Sequence, residues 1–191
     1  MAQSPEQLLL KQILNNAVTK TEDTPDQTLA LGGGMNFRIN VAKALKAAFL
    51  STKTYIKAKV MIVTGTVNPA EALGMAKDVW DIVVTTLDAL RERMGELEYV
   101  ACVVLSGFED GVSREDFEKE LKDVLASELP PETPWYLGLT TTRLETARNS
   151  FKAVKNFDEV LQLLRDEDWL DEAGGKYKFK PRHYTWGFSL S

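Results

Sequence analysis

"LEYVACVVLSGF", residues 97–108, decides the fold. By periodicity alone, an unbroken apolar run of this length fits a buried helix and a buried strand equally well. As a helix it makes the chain mainly α. As a strand it joins two other candidates in an α/β arrangement, with strands near 54–64, 98–106 and 135–141. "KTYIKAKV" (53–60) also alternates with period two, and "MIVTGTV" (61–67) is rich in β-branched residues. We take the mainly α reading, which the periodicity of the neighbouring segments fits.

Upstream, Ser4-Pro5-Glu6-Gln7 supplies a cap, a proline at the first helical position and a capping-box glutamine. A helix over 5–19 is expected, followed by a linker over 20–36 that contains Gly32, Gly33 and Gly34. From Phe37, apolar residues recur in steps of three and four through Val41, Leu45, Ala48, Phe49, Ile56 and Val63. This predicts a helix from 37 to 63 with Asn36 as its cap. A second helix over 69–94, capped at Asn68 and ended by Gly95, completes a hairpin over 37–94. The expected division is a helical region over 1–95 and a second domain over 96–191.

The second region is punctuated more clearly. Ser113 and Asp116 form a capping box ahead of "FEKELKDVL". Further helices are expected from Thr142 to about 155 and from Asn156 to about Leu170. Gly174-Gly175 then fits the turn of a β-hairpin. "VVLSGFEDGVSREDFEKEL" (103–121) and "FDEVLQLLRDEDWLDEAGGKYKFKPRHY" (157–184) together resemble the winged helix-turn-helix superfamily. The likeness lies in an apolar first helix, a second opening with Ser-Arg-Glu, and a last helix running through "WL" into a glycine-turn wing. It covers about 96–188, with residues 129–155 longer than the usual gap between the second and third helices. The resemblance implies binding, to DNA or to protein, and no catalysis.

Charge is segregated. Of the net −5, the segment between Asp26 and Glu71 contributes +6 through Arg38, Lys43, Lys46, Lys53, Lys57 and Lys59, so the rest carries −11. On a helix, Lys43, Lys46, Lys53 and Lys57 cluster within roughly 80° of one another. Such a stripe suits a phosphate backbone, an acidic partner, or the acidic remainder of this chain. Arg148, Lys152 and Lys155 form a second stripe. In the wing, Lys176, Lys178, Lys180 and Arg182 alternate with Tyr177 and Phe179, which sets bases on one face and aromatics on the other. The helix from 156 carries Asp158, Glu159, Asp166, Glu167 and Asp168 against Arg165. An acidic helix at that position is a poor reader of a DNA groove.

Enzyme chemistry finds little support. The glycine run lacks the Lys-Ser/Thr of a P-loop, and Phe37 stands where a dinucleotide fingerprint needs glycine. Glu120-x-Lys122 is a fragment of a nuclease-like pattern within a helical segment. His183 and Cys102 are the only histidine and cysteine, too few for an ordinary zinc site. Cys102, among apolar neighbours, reads as a buried thiol, and a reducing cytoplasm fits a chain that cannot form an internal disulfide. No apolar run approaches the roughly 18 residues of a membrane span, and "MAQSPEQLLLKQIL" (1–14) lacks the basic lead of a secretory signal. The expectation is a non-enzymatic interaction module without cofactor, an adaptor or subunit that binds another protein or its own copy. Nucleic-acid binding through the lysine stripe and wing is the alternative.

Overall fold

A computed structural model describes residues 8, 11–13, 16–20, 37–58, 77–129 and 139–180 of the 191. The protein is mainly α, with a small antiparallel hairpin near its C-terminus. Residues 96–106, the ambiguous apolar run, form a helix, α3 (Glu96–Ser106). Gly95 is its N-cap, extended at φ −64° and ψ 156°, and its N–H donates to the Glu98 carboxylate. Gly95 therefore starts this helix and does not end the previous one in a left-handed turn. Every residue from Tyr99 to Ser106 is buried, because helices pack around α3 on several sides. A helix without a solvent face shows no amphipathic period, which is why its sequence reads ambiguously.

Among the described residues, α1 (Val41–Ala58) and α2 (Lys77–Arg93) lead up to α3. They pack on each other and both touch α3. Helix α1 begins four residues later than expected. Asn40, not Asn36, caps it, with Oδ1 accepting the Lys43 N–H at 3.1 Å. Residues 37–39 are instead a strand, β2 (Phe37–Ile39), antiparallel to β1 (Val18–Lys20) with Val18 opposite Ile39. The expected helix over 5–19 accordingly ends by Ala17. Backbone pairing between segments far apart in sequence overrides the local helical pattern at both places. Val41, Ala44, Leu45, Ala48 and Phe49 are buried on α1, and Trp80, Val83, Leu87 and Leu90 on α2, as the periodicity predicts.

The α/β alternative fails where it can be checked: 54–58 and 98–106 are helical, and a helix starts at 141. Its remaining positions, 59–64 and 135–138, lie outside the described residues, as do Gly32, Gly33, Gly34 and the Asn68 cap.

Helix α4 (Arg114–Ala126) opens on the expected Ser113 cap: Ser113 Oγ accepts from the Asp116 N–H at 3.1 Å, and it donates to the Asp116 carboxylate at 2.7 Å in place of the reciprocal bond of a capping box. Helix α5 (Thr141–Ala153) is capped by Thr140, two residues before the expected start. Helix α6 (Phe157–Asp166) is capped by Asn156, whose Oδ1 accepts from the Asp158 and Glu159 N–H groups. It stops short of Leu170. Asp168 turns left-handed at φ 59°, and the Trp169 N–H returns to the Leu164 carbonyl at 2.8 Å. Leu170 thereby becomes the first residue of β3 (Leu170–Ala173), paired with β4 (Lys176–Phe179). Gly174 and Gly175 sit between them at φ 61° and 73°, the two positive angles a tight hairpin turn requires. Val112 adds a third, one-residue rung, exchanging both backbone hydrogen bonds with Tyr177 at 2.8 and 2.9 Å.

Among the described residues the buried apolar side chains from Val41 to Phe179 form one cluster. The expected division at 95/96 falls between helices that share this core.

Candidate functional site

The α1 lysines do not form a free stripe. Lys46 donates to the carboxylate of Glu109, in the loop between α3 and α4, and Lys53 donates to Glu120 on α4. Both acids come from the acidic remainder of the chain. Lys43 is exposed; its Nζ lies 3.4 Å from the Asn16 carbonyl oxygen. Lys57 occupies the last turn of α1, and its side chain lies outside those described.

On α5, Arg148 is half-buried. Its Nε donates to the Leu125 carbonyl at 2.7 Å and its Nη2 to that of Ser127 at 3.5 Å. It thus satisfies carbonyls at the C-terminal end of α4, which have no partner within their own helix. Lys152 and Lys155 are exposed. Nearby, Arg143 and Arg91 converge on Asp88 at 3.5 and 3.6 Å, tying α5 to α2.

The hairpin keeps its expected two faces. Phe179 is buried and stacks on Trp169 at 6.1 Å, and Tyr177 is half-buried. Lys176, Lys178 and Lys180 are exposed on the other side. Lys180 pairs with Asp168 at 2.7 Å. Arg182 lies outside the described residues.

Carboxylates crowd the outside of α6 and the start of the hairpin. Asp158 pairs with Arg114 at 2.8 Å, and Arg165 with Glu172 at 2.5 Å. Asp166 accepts from the Gln162 amide at 2.6 Å. Leu163 is 36% exposed among them, one of two large apolar side chains classed as exposed among the described residues.

One grouping is invisible in the sequence. Lys43 and Lys46 of α1, Glu109 of the α3–α4 loop and Lys178 of β4 line a single open cleft of about 160 Å³. Its floor is apolar, with Leu105, Phe108 and Phe179. The hydrogen bond from Lys46, with its charge, holds the Glu109 carboxyl below the usual carboxylate range, and the charges of Lys178 and Lys43 add to the effect. These residues are more than 130 positions apart at the extremes, so no local pattern joins them.

Cys102 is fully buried, and burial pushes its thiol up, away from the reactive thiolate. Burial likewise raises Tyr99. No group of three His, Cys, Asp or Glu stands where it could hold a metal ion, and no helix is long and apolar enough to cross a membrane, among the described residues. Comparison of the chain with protein-family models, with curated proteins and with solved structures gives no match.

Proposed function

We propose that this chain is a non-enzymatic protein-binding module, an adaptor or a subunit of a larger assembly, working in the reducing cytoplasm. The observation that carries this reading is the face of α6, the helix that leads into the hairpin. It offers solvent a row of carboxylates around Leu163. Such a face repels a phosphate backbone and suits a protein surface with basic and apolar groups. The engagement of Lys46, Lys53 and Arg148 within the molecule supports the same reading, since it takes three of the candidate cations away from a nucleic acid.

The order of elements supports the winged-helix likeness. A helix, a one-residue strand at Val112, further helices and a hairpin follow one another, with Val112 paired to the hairpin's second strand. Members of that superfamily use this frame for binding.

A second reading, nucleic-acid binding, is favoured by the exposure of Lys176 and of Lys178, which lines the same cleft as Lys43. One titration separates the two. With duplex and single-stranded DNA at low and moderate salt, the protein-binding reading expects no association. Salt-sensitive binding lost in the Lys176→Glu/Lys178→Glu variant would establish the second reading instead. Cross-linking in cells of the native host, with sedimentation of the purified chain, tests the first directly. It fails if no protein partner is cross-linked and the chain sediments as a monomer.

A further inference from the structure

We infer that the cleft between α1, the end of α3 and β4 receives a short acidic peptide segment of a partner protein, with one large apolar side chain seated between flanking carboxylates. The inference rests on the protein-binding reading and names the chemistry of one contact.

The size of the cleft sets the kind of occupant. At about 160 Å³ it is well below the roughly 300–1,000 Å³ of sites that enclose a drug-sized molecule or cofactor. It is suited to a single side chain of the size of leucine or phenylalanine. The floor of Leu105, Phe108 and Phe179 matches such a group, and an aromatic or aliphatic anchor in a pocket is where peptide contacts concentrate their energy.

The rim sets the sign of the charge. Three ammonium groups, from Lys43, Lys46 and Lys178, surround one carboxylate, Glu109. That carboxylate is already bonded to Lys46. Lys43 has only its long contact to the Asn16 carbonyl oxygen, and Lys178 makes no hydrogen bond or ion pair among the described residues. Two cations therefore remain to meet anions on either side of the seated group. Basic flanks would be rejected by the same lysines. A phosphate backbone would engage the lysines but leave the apolar floor in water, so a peptide uses the whole cleft and a nucleic acid only its edge.

The test uses the full chain and a fluorescein-labelled peptide, Gly-Asp-Asp-Phe-Asp-Asp-Gly, followed by anisotropy. Saturable binding is expected, weakened about tenfold or more when Phe is replaced by Ser in the peptide, and by a like factor in the Lys43→Ala/Lys178→Ala variant. Both lysines are exposed, so the variant keeps its fold, which circular dichroism and a urea midpoint verify. A second variant, Ala42→Phe, fills the cleft from its wall without touching the charges and is expected to abolish binding. The inference is overturned by the absence of saturation at about 1 mM peptide, or by unchanged affinity in the lysine variant. Equal binding of the Phe and Ser peptides also overturns it, since that marks a general anion patch, as does displacement of the peptide by duplex DNA at equal charge. If the peptide does not bind while cross-links to a partner map to α6, the cleft inference fails and the protein-binding reading stands. Failure of both experiments removes both.

Discussion

The Lys53 ammonium on α1 donates to the Glu120 carboxylate on α4, and also lies 5.7 Å from the centroid of the Phe49 ring. The pair bridges residues 67 positions apart, and both side chains are mostly shielded, at 29% and 20% exposure. Shielding lifts such a pair above the negligible worth of a surface ion pair. Lys53→Met is expected to destabilise the fold by about 1 kcal/mol, and a double-mutant cycle with Glu120→Gln to show a coupling of about 0.5–1 kcal/mol. Urea denaturation of the four proteins checks it. A coupling near zero would make the contact incidental.

Arg148, Lys152 and Lys155 look interchangeable in the sequence, but their surroundings separate them. Arg148 holds the carbonyls of Leu125 and Ser127. Its replacement by alanine is expected to cost about 1.5–3 kcal/mol, in the range for hydrogen bonds to charged groups. Lys152→Ala and Lys155→Ala are expected to stay within about 0.5 kcal/mol of the parent. Denaturation midpoints of the three variants decide it.

Gly107 follows α3 where the chain passes the Phe49 ring. A Cβ there would lie 2.3 Å from Phe49 Cε1, well inside contact distance. Gly107→Ala is expected to cost about 1–3 kcal/mol by overpacking. Much of that loss should vanish when the same change is made in a Phe49→Leu background, because the obstacle is the ring. Equal penalties in both backgrounds would point to the backbone.

Glu109 carries a pH signature. Lys46, bonded to it, is the main cause of its lowered carboxyl value, with Lys178 and Lys43 contributing. A value lower in the folded than in the unfolded state adds stability above the unfolded carboxylate range of about 4.3. That contribution is lost as pH falls through the folded value. Glu109→Gln is therefore expected to match the parent's stability at strongly acidic pH and fall slightly below it at neutral pH. The gap stays small because the side chain is 74% exposed. Urea midpoints across the acid range check the sign.

What the sequence reveals here is what is local. The Ser113 cap, the Asn156 cap, the Gly174-Gly175 turn and the two faces of β4 each follow from residues within a few positions of one another, and each is present. The helix α3 resisted reading because burial on all sides erases the period that would identify it. The β1–β2 pairing and the partners of the lysines resisted for another reason. They join segments far apart along the chain, 63 positions for Lys46 and Glu109. The charge segregation pointed to acids of the same chain as one destination for the stripe, without indicating which ones. The cleft at Lys178 has no counterpart in any sequence pattern.

The burial of α3 from Tyr99 to Ser106 also bears on modularity. A helix with no polar face cannot be left bare in water. Helices α1 and α2 cover part of it, and α4, α5, α6 and β4 pack on the rest. Neither half, transplanted alone into another chain, would keep α3 dry, so a graft of the hairpin-bearing half would aggregate unless it brought α1 along. The two halves are therefore expected to unfold as one cooperative unit, since both border the same buried helix.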